Sequence, residues 1–129
     1  MSAAGMLAEE KASFAKVEAP CRYFGACGGC TLQDLAYADQ VTLKRRRLAR
    51  LLEGVAPSLD VELTGLDESP WRYRNKAEFT FGSAAGQVQL GFHAAGSYWR
   101  VVDLDDCLLL PERMARLLST VRESAQRSG

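Results

Sequence analysis

The sequence predicts an α+β fold in which a mostly antiparallel sheet is packed by a long helix after a cysteine loop and by a second helix at the C-terminus. Three observations predict it. Apolar residues recur at helical spacing from Thr31 to Glu53, the period shifts to two between Val61 and Leu104, and helical spacing returns after Pro111. A chain of 129 residues fits one domain.

Residues 1 to 20 are rich in Ala, Glu and Lys without a sustained apolar stripe, and read as a flexible leader or weak helix ending at Pro20. The next segment, CRYFGACGGC, holds too much Gly and Cys for helix or strand and reads as a loop. Thr31 and Asp34 then resemble a capping box, with Asp standing for Glu, and open a helix that Gly54 and Pro57 close. Its expected buried stripe is Tyr37, Val41, Leu48, Leu51 and Leu52, which turns Arg45, Arg46 and Arg50 elsewhere.

Alternation predicts a short strand at VELTG (61–65) and a longer one from Trp71 to Phe81. On the latter Tyr73, Asn75, Ala77, Phe79 and Phe81 share one face, and Arg72, Arg74, Lys76, Glu78 and Thr80 the other. The small residues SAAG separate it from QVQLGF, so 71–92 reads as a hairpin, and YWRVVDL reads as a further strand toward Cys107. Pro111 suits the first position of a last helix, with Met114, Leu117, Leu118 and Val121 as its apolar stripe. The expected division is therefore a leader over 1–20 and one domain over 21–126.

Sixteen Lys and Arg balance sixteen Asp and Glu, so affinity for nucleic acid or membrane has to come from a local patch. No apolar run approaches the length of about 20 residues that a membrane span needs, and the N-terminus lacks the regions of a secretion signal. The expectation is a monomeric cytoplasmic protein without membrane association. A reducing compartment makes clustered cysteines metal ligands before disulfides.

Those cysteines are Cys21, Cys27, Cys30 and Cys107, with five, two and seventy-six residues in the intervals. Four thiolates can enclose a tetrahedral zinc or an iron-sulfur cluster. Zinc ribbons usually carry two Cys-x-x-Cys knuckles, so the single knuckle here tilts the reading toward a cluster, for which Gly28 and Gly29 clear the way. Structural thiols, a disulfide and a redox Cys-x-x-Cys are the competing readings. A CGGC loop is a poor place for core residues, and no thioredoxin-like βαβ pattern surrounds it.

Two segments carry the chemistry of nucleic-acid contact. Lys44, Arg45, Arg46 and Arg47 form the densest basic run, although on a helix they spread around the circumference and could equally make a solvated face. Between Trp71 and Lys76, cations alternate with rings, a mixture that suits phosphates and splayed bases; the competing reading is a strand with its aromatics in the core. His93 reads as a loop residue, Phe92 and Trp99 as core, and Asp103, Asp105 and Asp106 as caps of the turn that carries Cys107.

In order, CRYFGACGGCTLQDLAYADQVTLK, SPWRYRNKAEFTF, LGFH and VVDLDDCLL resemble the central domain of the RNA uracil-5-methyltransferases, over approximately residues 20 to 125. The resemblance implies a four-iron four-sulfur (4Fe-4S) cluster on Cys21, Cys27, Cys30 and Cys107, with a structural or RNA-positioning role. It also matches Leu32, Gln33, Tyr37, Gln40 and Lys44 to one family block and Tyr73, Arg74, Asn75 and Lys76 to another. The implied RNA-facing residues are Lys44, Arg46, Arg72, Tyr73, Arg74 and Lys76, with ribosomal RNA ahead of transfer RNA as substrate.

Family members bind S-adenosylmethionine in a further domain that also supplies the nucleophilic Cys. This sequence has no glycine-rich turn for that cofactor and no Cys beyond the four. The expectation is one domain of such an enzyme, inactive alone. The competing class is a zinc-stabilised module that binds nucleic acid or protein and catalyses nothing; an electron-transfer role is disfavoured by the long interval before Cys107.

Overall fold

A computed structural model describes residues 3–57, 60 and 69–128. The chain divides into two compact units that interleave in sequence: Met1–Ala19 with Leu32–Asp67, and Pro20–Thr31 with Glu68–Gly129. In the first of these units, residues 3–19 and the long helix are tied together by charge.

In the first unit, α1 (Ala3–Lys11) and α2 (Tyr37–Leu52) carry those ties. Asp34 pairs with Lys11 at 2.6 Å and also with Lys16, while the backbone bridges Lys16 to Leu35. Two Lys therefore hold Asp34 below the usual carboxylate range, although burial alone would push it up. Glu10 of α1 pairs with Arg47 and Arg50 of α2. The predicted capping box does not open the helix: α2 begins after Ala36, without a side-chain cap, and Asp34 serves its two lysines. Gln40 reaches back instead, donating to the Leu35 carbonyl at 3.0 Å. The buried residue of α2 is Leu43, and Tyr37, Leu48 and Leu51 of the expected stripe are exposed.

The second unit is built on a three-stranded antiparallel sheet, β1 (Thr80–Ala84), β2 (Gln87–His93) and β3 (Val101–Asp103), in that order. Ala84 faces Gln87, so Ala85 and Gly86 alone make the turn, and both have positive φ (51° and 75°) as a type I′ hairpin demands. Gly91 is obligatory in β2, since a Cβ there would lie 1.9 Å from the Val102 carbonyl oxygen. Helix α3 (Glu112–Arg127) packs on β2, and Leu90, Leu104 and Leu118 form the core with Tyr23, Phe79, Phe92 and Val102 against it. Phe92 meets Phe79 with ring centroids 4.9 Å apart, as its expected core place requires.

Three expectations are corrected here. The strand predicted from Trp71 starts only at Thr80, because Arg72 has φ +60° and the Arg72 and Arg74 amides donate to the Leu108 and Leu109 carbonyls, both at 2.8 Å. The strand predicted from Tyr98 starts at Val101, and Trp99 is 83% exposed, not core. The buried face of α3 is Ala115 and Leu118, while Leu117 and Val121 face outward. The predicted strand at 61–65 lies outside the described residues. Among the described residues no helix is long and apolar enough to cross a membrane.

Candidate metal centre and basic surface

All four cysteines belong to the second unit. The loop that carries three of them is a chain of tight turns: Phe24 N–H donates to the Cys21 carbonyl at 2.9 Å, and Cys27 N–H to the Tyr23 carbonyl at 2.8 Å. Gly25 supplies the left-handed residue, with φ +86°. The loop then docks on the end of β2. Cys27 bridges to Ala94, Gly28 N–H donates to the His93 carbonyl at 2.9 Å, and Ala95 N–H returns to the Ala26 carbonyl at 2.9 Å. A Cβ on Gly28 would press to 3.0 Å on that same carbonyl oxygen, which is why the docking needs Gly.

Cys107 arrives from the other side, after β3, on a segment held by ionic contacts. The Asp105 amide donates to the Tyr23 hydroxyl at 3.0 Å, and the Asp105 carboxylate pairs with Arg22. Arg122 of α3 pairs with Asp103 at 2.8 Å and donates to the Leu104 carbonyl. Asp106 accepts the Cys107 amide at 2.7 Å, which fits its expected capping part. Its two oxygens also take both terminal nitrogens of Arg72, each at 2.8 Å, and Arg72 Nη1 donates further to the carbonyls of Cys107 (3.1 Å) and Leu110 (2.9 Å).

The four thiols are half-buried. Burial pushes the Cys27 thiol up, the Gly29 N–H opposes that from 3.4 Å, and the nearness of Cys30, Cys107 and Cys21 adds to the rise. Burial pushes Cys107 up as well, opposed by the amide of Leu109 and reinforced by Cys30 and Cys21. The sulfurs are therefore electrostatic neighbours. Among the described residues no three His, Cys, Asp or Glu side chains form a group that could hold a metal ion. As a donor set, four thiols with amides aimed at two of them, Cys27 and Cys107, suit a thiolate-held group.

The basic residues sort by their partners. Arg45 pairs with Asp60, Arg47 and Arg50 with Glu10, Lys76 with Glu78, and Arg72 with Asp106. Lys44, Arg46, Arg74 and Arg100 make no ion pair with a carboxylate among the described residues. Arg46 lies over the Phe14 ring, 5.2 Å from its centroid, in a cavity of about 190 Å³ that Leu43, Arg47 and Arg50 also line. Tyr73 is exposed. The expected RNA-facing set thus divides: Lys44, Arg46 and Arg74 make no carboxylate pair among the described residues, Tyr73 is exposed, Lys76 pairs with Glu78 and Arg72 with Asp106. His93 ends β2, with Nε2 3.3 Å from the Thr80 hydroxyl, and is not in a loop. Local sequence did not signal the bracing by Tyr23, Arg22 and Arg122.

No family model matches the chain. It is similar, over most of its length, to one segment of proteins named uncharacterized RNA methyltransferases. One from Caldanaerobacter subterraneus subsp. tengcongensis is 41% identical over 81% of this chain and 24% of its own length. One from Halalkalibacterium halodurans is 38% identical over 92% and 26%, and one from Listeria monocytogenes 32% identical over 93% and 26%. The chain spans about a quarter of the length of the curated relatives it matches.

Proposed function

We propose that this chain is the iron-sulfur-binding, RNA-contacting portion of an S-adenosylmethionine-dependent RNA methyltransferase that makes 5-methyluridine, in ribosomal RNA first and transfer RNA second. The observation that supports the reading is that one compact unit carries four half-buried, mutually influencing thiols in a chain that aligns with RNA methyltransferases. Cys21, Cys27, Cys30 and Cys107 would hold the 4Fe-4S group. When bound, such a group supplies a rigid, charged cross-link, not a reacting centre.

The chain's own residues do the rest. Asp106 and Arg72 orient the Cys107 segment, Tyr23 joins it to the cysteine loop, and Gly28 lets that loop seat on β2. Lys44, Arg46, Tyr73 and Arg74 offer cations and a ring to RNA, and Lys76 does so less because it pairs with Glu78. In this reading S-adenosylmethionine binding and methyl transfer fall to the portion of such an enzyme with which this chain does not align.

The test is iron, acid-labile sulfide and zinc content with a visible spectrum, on protein purified without oxygen. About four irons and four sulfides per chain, lost together in Cys107→Ala, supports the reading. One zinc without sulfide replaces it with a zinc-stabilised binding module.

A further inference from the structure

We infer that the turn between β2 and β3 is a stacking site for unpaired RNA bases, with Trp99 and Tyr98 as the rings and Arg100 as the phosphate contact. The inference rests on the RNA reading above and adds residues that reading does not include.

Trp99 is 83% and Tyr98 88% exposed, the two most exposed aromatic side chains among the described residues. A frayed loop could show rings to water by accident, but this loop is closed. Ala94 N–H donates to the Arg100 carbonyl at 2.8 Å, Ser97 N–H to the Ala94 carbonyl at 3.0 Å, and Arg100 N–H to the Ser97 hydroxyl at 3.1 Å. Gly96 supplies the positive φ of +70° that the reversal needs. Ala94 is buried at the base, where it bridges to Cys27. The rings are thus displayed by a fixed turn seated on the cysteine loop, and little conformational entropy is lost when something stacks on them.

The chemistry of the turn selects the partner. Residues 94–100 (AAGSYWR) hold no carboxylate and no large aliphatic side chain, and Arg100 has no ion pair among the described residues. A protein interface centres its aromatics among other apolar side chains. Rings beside an uncompensated guanidinium fit a base and its phosphate, and base-on-ring stacking tolerates any sequence.

The test uses the 129-residue chain, a labelled single-stranded oligoribonucleotide and the same sequence as a duplex, read by anisotropy across a salt series. Trp99→Ala is expected to weaken single-strand binding by about 5- to 100-fold with the salt slope unchanged, and Trp99→Phe to keep most of the affinity. Arg100→Ala is expected to lower the salt slope by about one. In a Trp71→Phe background, binding should quench the emission of Trp99. Unchanged affinity in Trp99→Ala, while Lys44→Ala and Arg74→Ala weaken binding, overturns the stacking site and leaves the RNA reading standing. Failure of the wild-type chain to bind either RNA overturns both. Self-association or capture of a protein that depends on Trp99, with RNA affinity unaltered, assigns the turn to a protein and overturns the proposal.

Discussion

Arg72 grips Asp106 with both terminal nitrogens, at 2.8 Å each, and does so from a left-handed backbone with φ +60°. The same guanidinium holds the carbonyls of Cys107 and Leu110, so one side chain fixes the approach of the fourth cysteine. The pairing raises the Arg72 pKa and lowers that of Asp106, chiefly through their hydrogen bonds. An L-residue at positive φ costs on the order of 1 kcal/mol, and the fork-to-carboxylate geometry offsets it.

Truncation at this position should therefore act on stability and on the metal centre together. Arg72→Ala is expected to cost about 2 kcal/mol in denaturant unfolding and to lower the retained iron or zinc, whereas Arg72→Gly costs about 1 kcal/mol less because it relieves the backbone. Arg72→Lys should not restore the wild-type value, since an ammonium cannot fork across two oxygens. Equal stability of the Ala and Gly variants would remove the strain from the argument.

Gly91 makes the sharpest packing prediction. A methyl group there meets the Val102 carbonyl oxygen at 1.9 Å and Leu104 Cγ at 3.0 Å, and both belong to the strand pairing and core of the second unit. Gly91→Ala should destabilise by more than about 3 kcal/mol and lose the cooperative unfolding transition of the chain. A variant that melts like wild type would mean that β3 is free to shift.

The hairpin turn offers the opposite sign. Ala85 carries φ +51° beside Gly86, a place where Asn or Gly is at ease and a Cβ-bearing Ala is not. Ala85→Asn, on an exposed position, should raise stability by about 0.5 to 1 kcal/mol, visible as a higher melting temperature.

What could be read from sequence and what could not follows from the range of each force. Period and turn residues are local, so the β1–β2 hairpin and the positions of α2 and α3 were legible in outline. The face of α3 was not, because two apolar stripes overlap along it and the buried one is completed by Arg122, which ion pairs to Asp103 and Asp105 hold in place. The four cysteines announced themselves by spacing. Their supports did not, since Arg72 with Asp106 and Tyr23 with Asp105 join residues far apart in sequence. Trp99 looked like core because it is large, and only a closed turn shows that it faces water.

Asp34 gives the pH dependence. Burial works against its charge, yet Lys11 and Lys16 win and hold its pKa below the usual value of about 3.9. The unfolded chain therefore binds a proton at this site before the folded one does. The contribution to stability is complete above about pH 4 and fades as pH falls through the lower folded value. Asp34→Asn should accordingly be less stable than wild type at pH 7, by about 1 kcal/mol for a pair this sheltered, and the gap should close on acidification below about pH 4. A gap that stays constant over that range would mean that Asp34 contributes through packing and its backbone contacts, not through charge.

The division of the cations by partner leads to a last expectation, on salt. A guanidinium already neutralised by a carboxylate brings little new charge to a phosphate, so it releases few counterions when RNA binds. Lys44 and Arg74 make no carboxylate pair among the described residues, and Arg72 does. Lys44→Ala and Arg74→Ala should each lower the salt slope of RNA binding by about one while leaving unfolding near wild type. Arg72→Ala should do the reverse, lowering stability with little change of slope once the folded fraction is taken into account. If all three variants flatten the slope alike, the Arg72–Asp106 pair opens in the complex and Arg72 is a phosphate contact after all.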